Sequence, residues 1–168
     1  MKKKVNSLIY ILLIMLSVGI VASTMINYNY TYSDIRNLAF NIINAKDMKY
    51  NEIYGDYVYY KPSGFEQQKS DNQVKLTGPD AQILIHFGSE NIGDYNLYTK
   101  MNLDKEKKYE YVDENNKYFY VWEYDQDYNL VVVGENDTYI EALISKNKEK
   151  ENVLIVAQIF SSINKLEQ

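Results

Sequence analysis

The chain carries one histidine, His86, and no cysteine. Metal or nucleophile chemistry would therefore rest on that imidazole, on carboxylates and on hydroxyls. One imidazole without a second one or a thiolate lacks the ligand set of a zinc site. In the alternating run Ala81 to Phe87, His86 falls with Gln82 and Leu84, opposite Ile83 and Ile85. That position predicts a structural or surface role. Asp125-Gln-Asp127-Tyr-Asn129 begins like a calcium loop, which wants glycine at its sixth position and glutamate at its twelfth. Leu130 and Asn136 stand there instead, so a solvated hairpin turn is expected.

Asp104, Glu106, Glu110, Asp113 and Glu114 could supply an acid/base pair, but Lys105, Lys107 and Lys108 interleave them as on an ordinary charged surface. No Ser/His/Asp order, glycine-rich phosphate loop or metalloprotease helix is present. The expectation is a protein without catalytic activity, cofactor or metal. A carboxylate-dependent envelope hydrolase is the enzyme alternative. Asn29-Tyr-Thr31 and Asn136-Asp-Thr138 match glycosylation acceptors by chance in an Asn-rich chain.

The 18 tyrosines are the other chemically informative group. An A/T-rich codon bias accounts for their number but not for their positions. Tyr57 and Tyr59 share one strand face, as do Tyr109 and Tyr111, and Tyr118, Tyr120, Trp122 and Tyr124. Tyr and Trp combine contact area with a polar tip, which suits binding of protein or glycan. Tyr57, Tyr59, Tyr109, Tyr111, Tyr118, Tyr120 and Trp122 are thus the candidate partner-binding aromatic face. The competing reading is that tyrosine favours strands and covers a half-buried sheet.

The elements that would position these residues follow from periodicity. Ser33 can cap a helix, Asp34 complements its dipole, and Ile35, Leu38, Ala39, Ile42 and Ala45 form a buried stripe. Tyr57 to Lys61 reads as a strand ended by Pro62-Ser63-Gly64. Gln73 to Thr77 and Ala81 to Phe87 read as a hairpin about Gly78-Pro79-Asp80, with Val74 and Leu76, then Ala81, Ile83, Ile85 and Phe87, facing inward. Residues 88–106 read as a loop with a short helix around Tyr95 to Leu103. A meander comes next, over Lys107 to Val112, Lys117 to Tyr124, Asn129 to Val133 and Thr138 to Ser145. Asn147 is the expected cap of a last helix, whose stripe is Val153, Val156, Ala157, Phe160 and Ile163, widened by Ile155 and Ile159.

The amino-terminal segment carries an address. Lys2, Lys3 and Lys4 precede 22 uncharged residues, Val5 to Ile26. As a helix these reach about 33 Å, enough for a hydrocarbon core of about 30 Å. A retained signal anchor and a cleaved signal peptide compete. The run exceeds the roughly 7–15 residues of a signal-peptide core, while Val21-Ala22-Ser23 offers small residues for cleavage. Basic residues beside a span stay cytoplasmic. Setting those three lysines apart from the 18 basic residues leaves 15 against 23 acidic ones, a charge of −8 for residues 27–168. Such an acidic body argues against nucleic acid, and it is expected outside the cytoplasm.

Several runs resemble the PsbP-like fold: Tyr118-Phe-Tyr-Val-Trp-Glu-Tyr124, Asn129-Leu-Val-Val-Val133, Tyr139-Ile-Glu-Ala-Leu-Ile144 and Ala157-Gln-Ile-Phe-Ser-Ser-Ile163. Tyr60-Lys-Pro-Ser-Gly-Phe65 is similar to the turn that starts the sheet in that family. The resemblance spans residues 54–165. It implies an antiparallel sheet sandwiched by helices, and a scaffolding or binding module of the kind tethered to Gram-positive surfaces.

The expected architecture is α+β. An amino-terminal transmembrane helix (1–26) and a linker (27–32) lead to an extracytoplasmic domain (33–168), with a mostly antiparallel sheet of about 6–7 strands and helices at both ends. The expected function is a single-pass, membrane-anchored binding or scaffolding module of the cell envelope, its partners the membrane and an envelope protein or glycan. A secreted soluble binding protein or inhibitor is the alternative.

Overall fold

Every second residue from Val74 to Leu76 and from Ala81 to Phe87 is apolar, and β structure buries such a pattern on one face. The computed structural model describes residues 34–45, 48–88, 107–112, 117–135 and 137–166. The unit Ile35–Gln168 contains every described strand. The elements are a helix α1 (residues 34–43), β1 (Glu52–Tyr54), β2 (Tyr57–Tyr59), β3 (Glu66–Ser70), β4 (Gln73–Thr77) and β5 (Ala81–Phe87). After them come β6 (Lys107–Val112), β7 (Tyr118–Glu123), β8 (Tyr128–Glu135), β9 (Thr138–Ser145), a 3-10 turn (Lys146–Lys148), α2 (Glu149–Ser162) and β10 (Asn164–Lys165).

The protein is α+β. Seven strands pair antiparallel in the order β3-β4-β5-β9-β8-β7-β6, so a three-stranded and a four-stranded meander meet where β5 pairs with β9. That junction aligns Ile83 with Ala142 and Ile85 with Ile140. A second, three-stranded sheet has the order β1-β2-β10.

The inner face of the large sheet carries Val74, Leu76, Ile83, Ile85, Ile140 and Val131, each at most 1 % exposed. Helix α2 packs on β8 and β9 and buries Val153, Val156, Ala157 and Ile159 completely. Helix α1 reaches the same face, where Phe40 meets Tyr111 edge-on at 4.0 Å between ring centroids. Each fully buried aliphatic side chain contributes about 1.5–3 kcal/mol, so this interface is the main source of stability. The amino-terminal end of α2 is held by charge. Lys108 Nζ lies 2.7 Å from Glu149 Oε2, and Tyr109 donates to Glu149 Oε1 at 3.0 Å.

The hairpin β4–β5 and the β6–β9 meander match their sequence patterns. Three strands lack a sequence signal of their own: β1, β3 and β10. Strand β3 is wholly polar and exposed at every position but Gln67, because it is an edge. Its outer rim is met by the small sheet, through Lys69 Nζ to the Ile53 carbonyl at 2.9 Å and the Tyr54 hydroxyl to the Ser70 carbonyl. The strand expected through Lys61 stops at Tyr59. Pro62 has no N–H to donate, and Gly64 turns the chain at φ 83°.

The expected stripe of α2 is buried at Val153, Val156, Ala157, Ile159 and Phe160, whereas the stripe of α1 and both ends of α2 need correction. Helix α1 buries Ile35, Ala39 and Ile43, while Leu38 is 41 % exposed and Ala45 is exposed beyond the last turn. Its contact line follows i, i+4, i+8 rather than the expected mixture of threes and fours. Asn147 is not the cap of α2: it lies inside the 3-10 turn, and Lys148 takes the cap position without a side-chain hydrogen bond. Ile163 is the residue after α2, in extended conformation. The expected anchor, linker, Ser33 cap, loop and helix within 89–106, and turn at 113–116 lie outside the described residues.

Candidate functional site

The seven aromatic candidates occupy three places rather than one face. Tyr57 and Tyr59 belong to the small sheet, and both rings meet Phe87, at 4.9 and 6.0 Å. Tyr59 is fully buried and donates to Gln67 Oε1 at 2.8 Å; burial holds its hydroxyl protonated well above the usual phenol range. Tyr109 and Tyr111 lie on the inner face, engaged with Glu149 and Phe40. Tyr118, Tyr120 and Trp122 lie on the opposite, outer face, as register with Gly134, Val132 and Leu130 requires.

The outer face is a second apolar surface. Tyr118 stacks on Tyr120 at 5.5 Å and Tyr120 meets Trp122 at 5.3 Å, and they pack with Leu130, Val132 and Leu143. Tyr120 and Trp122 are only 8 % and 4 % exposed, so they are interior contacts, not the partly open surface expected of them. Strand register lines up Tyr118, Gly134, Tyr139 and His86 in one row across β7, β8, β9 and β5. The missing side chain at Gly134 leaves room for the Tyr118 ring. Burial, with Tyr139, Tyr120 and Glu141 nearby, raises the Tyr118 hydroxyl above its ordinary value. His86 stacks flat on Tyr139 at 4.1 Å and 2°. Its Nε2 is 3.8 Å from Glu141 Oε2 and makes no hydrogen bond. The His86 side chain is 18 % exposed. Beside this row an open groove of about 280 Å³ is floored by Leu84, Leu130 and Leu143.

A larger cleft, about 640 Å³, opens where the ends of α1, β2, α2 and β10 meet the β8–β9 turn. Of the seven aromatic candidates, Tyr57 lines it. The Tyr57 hydroxyl donates to Asp137 Oδ2 at 3.2 Å, and Lys165 Nζ stands 5.8 Å from the centre of its ring, within cation–π range. Burial first, then the Asp137 charge and hydrogen bond, raise the Tyr57 hydroxyl above its ordinary value. Lys117 Nζ is 3.2 Å from Glu135 Oε2. Ser161 Oγ donates to the Ala45 carbonyl at 3.0 Å, tying the two helix ends, and Asn164 Nδ2 donates to the Ser162 carbonyl at 3.0 Å. The cleft is therefore built from fixed, mutually oriented polar groups beside the apolar Ile43, Phe160 and Ile163. Its residues come from five distant segments with no shared motif, which is why no sequence pattern marks it.

The remaining candidates behave simply. Asp125 Oδ1 accepts from the N–H groups of Asp127 and Tyr128, at 2.8 and 2.7 Å, the fold of an exposed turn. Glu110 is exposed on β6, whereas Asp104, Glu106, Asp113 and Glu114 lie outside the described residues. Among the described residues no group of three His, Cys, Asp or Glu side chains is placed to hold a metal, and no helix is long and apolar enough to cross a membrane. No protein-family model matches this chain, and no curated protein matches it either.

Proposed function

We propose that this chain is a single-pass membrane protein whose body lies outside the cytoplasm and serves the cell envelope as a non-catalytic binding or scaffolding module. The observation that carries the binding role is the 640 Å³ cleft beside Tyr57. Its size lies within the roughly 300–1,000 Å³ of ligand-binding clefts, and its polar groups converge from several rigid elements. The anchor rests on Lys2 to Lys4 and the uncharged run Val5 to Ile26, and the orientation on the acidic remainder. The PsbP-like relation belongs to the same proposal. Its quoted runs fall on β7, β8, β9 and α2, elements that form one side of the large sheet and the helix packed on it. Release by cleavage near Ser23 is the second reading, favoured by Val21-Ala22-Ser23 alone.

A photo-crosslinking residue in intact cells tests the cleft. Position 165, on its rim, should capture a partner that position 150 does not. Lys150 sits in the first turn of α2, about 15 Å along the helix from Phe160 at the cleft. Equal capture at both positions, or capture at 150 alone, would overturn the assignment.

A further inference from the structure

The chemistry of the cleft narrows what it can take. Resting on that binding role, we propose that it holds a neutral, acetamido-bearing saccharide. Charge comes first. Glu135 is neutralised by Lys117 at 3.2 Å, and Asp137 and Lys165 flank the Tyr57 hydroxyl and ring respectively. The lining thus carries two cations and two anions, so a strongly charged ligand would meet as much repulsion as attraction.

Hydrogen-bonding capacity comes second. Asp137 accepts from Tyr57 through Oδ2 and faces the Thr138 hydroxyl through Oδ1 at 3.3 Å. An ionised carboxylate has about four acceptor positions, so it can still receive a hydroxyl or amide N–H. Asn164 uses its amide nitrogen on the Ser162 carbonyl, which fixes the side chain and leaves its oxygen as an acceptor. Ser161 donates to Ala45, leaving its lone pairs to accept. The rigid groups are chiefly acceptors beside a long-armed cation, Lys165, which matches a ligand rich in O–H and N–H donors.

Apolar surface comes third. Ile43, Phe160 and Ile163 line the same opening and offer contact for the C–H face of a sugar ring or for a methyl group. An acetamido group combines these needs: an N–H for a carboxylate, a carbonyl for an ammonium and a methyl for the apolar patch. Simple glucans have the hydroxyls but lack the amide and the methyl.

The test uses the full-length chain in mild detergent and a tetramer of β-1,4-linked N-acetylglucosamine, with a maltotetraose control, followed by calorimetry and amide chemical shifts. The tetramer should bind and shift amides around Tyr57, Asp137 and Asn164, with maltotetraose at least tenfold weaker. Asp137→Ala and Asn164→Ala should each weaken binding about tenfold without lowering the melting temperature by more than a few degrees. No binding, or binding that both variants leave unchanged, overturns the saccharide assignment. If position 165 still crosslinks a partner in cells in that case, the binding role stands and only the ligand class falls. If crosslinking fails as well, both fall.

Discussion

Adding a single methyl group at Gly134 should be costly, and the packing around it says why. An ideal Cβ there would lie 2.9 Å from Tyr139 Cβ and would overlap the Tyr118 hydroxyl and ring, where carbon atoms prefer about 3.5–4.0 Å. Tyr118 would have to rotate away, weakening its stack on Tyr120. Overpacking of this kind costs about 1–3 kcal/mol, and the lost aromatic pair about 0.5–1.5 kcal/mol. The reduced backbone freedom of alanine returns about 0.4–1 kcal/mol. Gly134→Ala should therefore lower stability by about 0.5–4 kcal/mol in urea unfolding followed by circular dichroism. In a Tyr118→Val background the same change should cost at least about 1 kcal/mol less, because the ring it displaces is gone. A neutral or stabilising Gly134→Ala would refute the reasoning, as would an equal cost in both backgrounds.

Asn129 is fully buried with neither amide atom hydrogen-bonded, so Asn129→Leu should raise stability by about 1–3 kcal/mol; a loss in thermal melts would show that the amide has a role. Glu149 and Lys108 have side chains only 11 % and 14 % exposed. Glu149→Ala should cost about 2–4 kcal/mol by removing the carboxylate that meets the lysine, and the Lys108→Met, Glu149→Leu double variant should be milder. A double variant worse than the single would count against that picture. The Tyr118 hydroxyl has a folded pKa above its ordinary value of 10.0, so the folded state holds that proton more tightly than the unfolded chain. Its contribution is present in full below about pH 10 and is lost as pH rises beyond it. Melts from pH 8 to 11 should therefore decline less steeply for Tyr118→Phe than for the parent; identical slopes would contradict it.

How far the sequence speaks depends on how each element is buried. The β4–β5 hairpin is legible because only its inner face is apolar, so alternation marks that face directly. Strand β7 is different, since Phe119 and Val121 are buried on one side and Tyr120 and Trp122 on the other. Alternation there reveals a strand but not which tyrosines remain accessible. Strand β3 is hidden by its polar composition, because its pairing partner and the side chains of the small sheet define it rather than its own apolar surface. Helix α1 also meets a partner far along the chain, since its Phe40 ring packs edge-on against Tyr111, and no local periodicity encodes such a contact. The cleft is the extreme case: Asn44, Tyr57, Lys117, Asp137 and Asn164 meet only after both sheets and both helices have assembled.

The absence of cysteine makes the central proposal, an anchored chain with its body outside the cytoplasm, directly measurable. Single cysteines placed at Lys3 and at the exposed Asn147 can be challenged with a membrane-impermeant maleimide in intact cells, and the labelled chain weighed intact. Asn147→Cys should be labelled before lysis, in the membrane fraction and on the full-length chain, whereas Lys3→Cys should be labelled only afterwards. Labelling of Lys3→Cys alone in intact cells would contradict the outward orientation.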